Sequence, residues 1–243
     1  MHSDKIVKSG QIMPDILPGF ADSSQNSQQV FRQILSAMSE PGTIVSVHNQ
    51  NPAAPNGLTD PAYSVALTLF DDQTRVGLSQ ELQTEASVRD TLVFHCGCEL
   101  IDMSVESEAD NDSEVLDNEH GAFDFIIVNA GEWSQYKTNK RISIGNQSYP
   151  DQSTTVVMQL MDIQAYSPTE YLLPRTDTKM LRLTGPGIET EQFVAVTGLP
   201  SGFAQDLQDN QGLFPLGLDF ILVCSDALFA LPRTCSVEVI PCM

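Results

Sequence analysis

Two apolar pentads near the C-terminus constrain the fold of this chain more than any other feature. Residues 220–224 (FILVC) and 227–231 (ALFAL) flank Ser225-Asp226, and neither run alternates polar with apolar side chains. Runs of strand length with no polar face belong to strands covered on both sides, and a two-residue polar break between them reads as a hairpin turn. Asp219 leads into the first run. Pro232 ends the second, because proline brings no N–H to a ladder, and Arg233-Thr234 are expected to project beyond the sheet.

Upstream, Asn26 or Ser27 can cap a helix whose apolar positions Val30, Phe31, Ile34, Leu35 and Met38 form one stripe, ended by Pro41-Gly42. Residues 43–47 alternate as a strand. Thr59 or Asp60, with Pro61 next, starts a helix running through 63–70, and a short strand follows at 75–78. Residues 84–89 read as a helix and 92–96 as a strand. The runs at 123–128 and 155–163 read as further buried strands, 180–184 as another, and 203–208 as a short helix. Helices interleaved with buried strands predict an α/β domain of three layers, α/β/α, around a mixed sheet.

Length and composition bound the rest. A chain of 243 residues, 41% of them hydrophobic, can bury one sizeable core; the expectation is a flexible N-terminal arm at 1–25 and a single α/β domain at 26–243. No apolar run approaches the roughly 20 residues that span a bilayer, and the first twenty residues carry no signal-type apolar stretch, so a cytoplasmic protein is expected. Thirty-two acidic against twelve basic residues give a net charge of −20, which disfavours nucleic acid and anionic membrane surfaces as partners. Screening over about 8 Å still allows a local arginine pocket to hold an anion. The five cysteines, at 96, 98, 224, 235 and 242, are expected to be reduced thiols.

Candidate chemistry is sparse. His95-Cys96-Gly97-Cys98 has the wrong spacing for a zinc knuckle and lacks a second pair, so the thiols read as structural, at a strand end. Asp110, Asp112 and Glu114 open like a calcium loop, but Val115 and Gly121 occupy the positions that need Gly and Glu. The acidic segment 104–121 therefore reads as a solvated insertion. No phosphate-binding glycine string is present, and Gly185-Pro186-Gly187 reads first as a tight turn. Of the four histidines, only His48 and His95 fall at element ends, with no nucleophile elbow beside them. No metal site and no catalytic residue are assigned. The binding or interface candidates are Arg32, Glu40, Arg182, Gly185, Gly187, Asp219, Arg233 and Thr234; arginine suits a phosphate, a partner protein or an internal ion pair equally well.

Three blocks, FRQILSAMSEPGTIV at 31–45, MLRLTGPGI at 180–188 and FPLGLDFILVCSDALFALPRTCSVEV at 214–239, together resemble the H subunit family of the bacterial carbon-phosphorus lyase system, PhnH. The resemblance implies a fold like the large domain of pyridoxal phosphate-dependent transferases, used without that cofactor. It also implies an accessory, non-catalytic subunit that acts with the G, I and J subunits and forms a homodimer when alone. The complex makes α-D-ribose 1-methylphosphonate 5-triphosphate from a nucleoside triphosphate and methylphosphonate. The alternative is an arginine-lined cleft around Arg182 and Arg233 that binds nucleotide or phosphonate itself. A Schiff base needs a desolvated lysine; Lys179, beside Met180, is the one to check.

Overall fold

The computed structural model describes residues 16–47, 53–103, 122–166 and 177–240. The acidic segment 104–121, His2, His48, His120 and Cys242 lie outside them. In chain order the elements are α1 (Ser23–Ser39), β1 (Val45–Ser46), α2 (Asp60–Leu69), β2 (Arg75–Leu78), α3 (Gln80–Thr84), α4 (Ala86–Cys96), β3 (Glu99–Asp102), β4 (Phe125–Asn129), α5 (Trp133–Tyr136), β5 (Thr155–Gln159), β6 (Asp162–Ala165), β7 (Thr178–Thr184), β8 (Gln192–Thr197), α6 (Phe203–Gln211), β9 (Asp219–Val223), β10 (Ala227–Leu231) and β11 (Ser236–Ile240).

The C-terminal hairpin forms as its sequence requires. β9 and β10 pair antiparallel from Leu228 with Val223 to Leu231 with Phe220. They enter a seven-stranded mixed sheet, ordered β1-β10-β9-β5-β4-β2-β3, in which β9, β5, β4, β2 and β3 run parallel. Both faces of this sheet are covered. One face meets α1, α2, α3 and α4: Val30, Ile34, Tyr63, Leu82, Val88 and Leu92 pack on Ile127, Val157, Ile221 and Leu228. On the other, Ile126, Val156, Phe220 and Phe229 meet Trp133, Phe203 and Leu207. Leu181, Leu183, Val194, Val196 and Val237 also cover that face, from a second, four-stranded antiparallel sheet ordered β11-β7-β8-β6. The protein is thus α/β with a mixed central sheet, but its third layer is in good part a β-sheet where helices were expected.

Several expectations shift for local reasons. The stretch 155–163 is two strands: β5 stays in the large sheet, while Met161 N–H donates to Thr197 O (3.2 Å) and turns the chain into the small one. Residues 92–96 are the end of helix α4, not a strand. Val88 and Leu92 bury an i, i+4 pair, Val93 and Phe94 face outward, and Gly97 closes the helix in the left-handed region at φ 72°. The thiol pair thus lies between a helix C-terminus and β3, and the four described cysteines are free. Helix α1 starts ahead of Asn26: Asp22 is the cap, accepting from Gln25 N–H (2.9 Å), while its own N–H donates to Asn26 Oδ1 (3.0 Å). Leu17 and Pro18, ahead of it, are tied down: Leu17 N–H donates to Thr91 Oγ1 (3.2 Å) and Tyr63 Oη donates to Pro18 O (3.1 Å). Burial pushes the Tyr63 phenol up to about 12, so it remains a donor.

The stripe expected on α1 divides. Val30, Ile34 and Ala37 are buried, whereas Phe31 and Leu35, one residue further round, are 51% and 56% exposed. The helix rests on α2 and β10, and that seat accepts a narrower arc than the apolar residues span.

Candidate functional site

In open parallel sheets a ligand crevice forms at the carboxyl edge, where connections from adjacent strands leave on opposite faces. Here β2 is followed by α3 and α4 on one face, and β4 by α5 on the other. The chain fills the crevice between them with its own side chains. Ser79 Oγ, just past β2, donates to the buried Glu132 Oε2 (2.5 Å), whose Oε1 accepts from Glu81 N–H (3.2 Å). Gln80 N–H donates to Tyr136 Oη (2.8 Å), and burial raises that phenol's pKa. Asn129, at the end of β4, donates through Nδ2 to Glu81 Oε2 (2.7 Å). Gln159, at the end of β5, donates to Asn129 Oδ1 (2.7 Å) and Gly57 O (2.9 Å) and accepts from Thr59 N–H (2.7 Å). Every hydrogen-bonding position of the Gln159 amide NH₂ is used. None of these residues was singled out by motif; only their place at strand ends marks them.

Beside this network a cleft of about 980 Å³ opens toward the small sheet. Asn129, Ser134, Gln159, Asp177, Lys179 and the turn Gly198–Gly202 line it. Its charged groups among the described residues are one lysine and one aspartate. Lys179 is exposed, so the desolvation that prepares a lysine for Schiff-base chemistry is missing, and the residues do not fit a pyridoxal-type cofactor. Among the described residues no cluster of three or more His, Cys, Asp or Glu is arranged to hold a metal ion.

The predicted residues gather elsewhere, in two groups. Glu40 follows α1, and its backbone N–H donates to Ser36 O (2.9 Å). Against that turn sits Gly187, at φ 84°, where a Cβ would lie 1.9 Å from Ser39 O. Gly185, at φ 138°, faces Thr234, whose carbonyl would lie 3.0 Å from an added Cβ. The three sequence blocks therefore meet around the GPG turn.

Arg233 and Asp219 form the second group. Because Leu231 pairs with Phe220, the chain just past Pro232 runs alongside the start of β9. Arg233 N–H donates to Asp219 Oδ1 (2.8 Å), its Nε to the same oxygen (3.2 Å) and its Nη2 to Oδ2 (2.5 Å). Pro150 O accepts from Nη1 (2.6 Å), and Ser153 Oγ from Nη2. Arg233 does not project beyond the sheet; its side chain folds back until it is 13% exposed, since a shielded guanidinium needs a carboxylate.

Arg182 stands apart, on the outer face of β7, paired with Glu191 (2.7 Å) and Glu238 (3.0 Å). Neither Arg182 nor Arg233 lines the 980 Å³ cleft. Arg32 is exposed on α1, where Nη2 meets Gln28 Oε1 at 3.4 Å. Exposed pairs such as those of Arg182 stabilise little, so Arg182→Ala is expected to leave the thermal melting curve of the protein unchanged. A clear drop in melting temperature would show that the small sheet depends on this bridge.

Residues 18–238 match the family model for the bacterial phosphonate metabolism protein PhnH. The chain belongs to the PhnH family. Among its relatives is the subunit PhnH of α-D-ribose 1-methylphosphonate 5-triphosphate synthase from Rhizobium meliloti, 30% identical over 219 residues that cover 90% of this chain and 94% of the relative. HtxG of Stutzerimonas stutzeri, named as a C-P lyase subunit protein, is 26% identical over 87% of this chain and 85% of its own length. Both alignments cover most of each chain, so the PhnH likeness includes the two sheets and the turns that join them.

Proposed function

We propose that this protein is an accessory subunit of a carbon-phosphorus lyase core, taking part in formation of α-D-ribose 1-methylphosphonate 5-triphosphate from a nucleoside triphosphate and methylphosphonate. The observation that carries this reading is the near-full-length similarity to the Rhizobium meliloti subunit of that synthase. Its partners on this reading are the G, I and J subunits, with a homodimer when it is alone in the cytoplasm. The fold corresponds to the large domain of pyridoxal phosphate-dependent transferases with the cofactor role lost, and the filled carboxyl-edge crevice is consistent with that. A triphosphate would meet a net charge of −20 and, among the described residues lining the 980 Å³ cleft, one lysine, which favours contact with protein over capture of the nucleotide.

Co-expression with tagged G, I and J subunits tests the reading. The chain is expected to co-purify with them in a fixed ratio, and alone to release no base from ATP or GTP. Failure to co-purify overturns the assignment as a subunit; base release by the isolated chain overturns its accessory character.

A further inference from the structure

We infer that the outward face of α1, built on Phe31, Arg32 and Leu35, is a docking surface for a different protein that presents an apolar strip with a carboxylate. The inference rests on the subunit reading above and names the face that serves it. Phe31 and Leu35 lie one turn apart, and each keeps more than half of its surface exposed. They belong to an apolar arc wider than the seat of the helix on α2 and β10. Scattered exposed apolar residues are ordinary, but Phe31 and Arg32 are of the residue types enriched at protein interfaces, and Leu35 extends the exposed apolar area beside them by one turn.

Charge sets the kind of partner. Arg32 is the one charged residue of α1 between Ser23 and Ser39, in a chain whose net charge is −20. Its contact is a 3.4 Å approach to the neutral Gln28, whereas Arg75, Arg182 and Arg233 each hold a carboxylate. The face is therefore weakly positive on an acidic molecule, with a guanidinium open to a carboxylate from outside.

A second copy fits this face poorly. An antiparallel pairing that sets Phe31 on Leu35 of the other copy brings the two Arg32 side chains within about 3 Å along the axis, at 1.5 Å per residue. A parallel pairing puts them opposite each other. Helix α1 has no carboxylate to answer them. A foreign surface carrying an aspartate or glutamate removes the conflict.

The test uses the full-length chain and the G, I and J subunits, with affinity measured on immobilised complex. Phe31→Ala with Leu35→Ala is expected to weaken binding at least about 30-fold, as loss of an interface anchor does. Arg32→Glu should weaken it more than Arg32→Ala, and the gap between wild type and Arg32→Ala should narrow as salt rises. Because these side chains are exposed, the variants should keep the wild-type melting curve; Phe94→Ala, on α4, should keep both melting curve and affinity. Wild-type affinity in the Phe31/Leu35 double variant overturns the inference while leaving the subunit reading intact. No binding by the wild type overturns both. Conversion of a dimer to a monomer by the double variant, with subunit affinity unchanged, makes the face a contact between copies and also overturns it.

Discussion

Gly187→Ala is expected to destabilise the protein by on the order of 4 kcal/mol, at the high end for a single substitution, and to lower its melting temperature by roughly 10 °C. Two costs combine. The residue sits at φ 84°, which a Cβ disfavours, and that Cβ would stand 1.9 Å from Ser39 O and 3.0 Å from Pro41 Cδ. Ser39 O belongs to the last residue of α1, so relief requires either the GPG turn or the end of the helix to move. The movement would propagate, because Gly42 is in turn packed against Leu183 and Gln192 of the small sheet. Gly131→Ala is the control. It has no atom within 4 Å of an added Cβ and should melt close to wild type. Equal melting of the two variants would mean that the GPG turn is not seated on α1.

This contact shows what the sequence made legible and what it did not. The hairpin at 219–231 was readable because its two pentads fill both faces of a buried sheet, and β10 matches its apolar run residue for residue. Helix α2 was readable from Thr59 and Pro61, and the Thr59 side chain does accept from Ala62 N–H. The small sheet was not. Of its strands β8 and β11 passed unread, β6 was merged with β5, and β7 was placed in the main sheet, because alternation tells which face is buried but not which sheet buries it. Helix α4 was misread at its end because a short apolar run serves a buried strand and a helix turn alike.

The site divides the same way. Arg233 and Asp219 were both legible as candidates, with an internal ion pair one of the roles open to the arginines; that these two pair with each other follows from the hairpin register, which brings the end of β10 beside the start of β9. The network at the carboxyl edge escaped notice. Ser79, Glu81, Asn129, Glu132 and Gln159 share no motif, and they meet only because β2, β4 and β5 end side by side. Phe31 and Leu35 were read into one stripe with Val30 and Ile34 because periodicity reports an apolar arc, while the width of the seat that receives it is a tertiary property.

Arg233→Ala is expected to cost about 3 to 5 kcal/mol, since truncating one partner of a shielded ion pair leaves the other charged and unpaired. The side chains of Arg233 and Asp219 are 13% and 18% exposed, and the arginine also holds Pro150 O and Ser153 Oγ. Its loss therefore loosens the 150–153 segment as well as the end of the hairpin. Asp219→Leu should be comparably damaging, because it leaves the guanidinium without its carboxylate. The double variant Arg233→Met with Asp219→Leu should recover part of the stability, by the coupling that a double-mutant cycle measures between touching residues. The same cycle separates this account from an arginine held ready for nucleotide or phosphonate. A ligand-binding Arg233 would leave chemical denaturation midpoints near wild type in the Ala variant and show no coupling to Asp219. A structural Arg233 shifts the midpoint strongly, couples to Asp219, and alters complex formation only to the extent that the folded population falls.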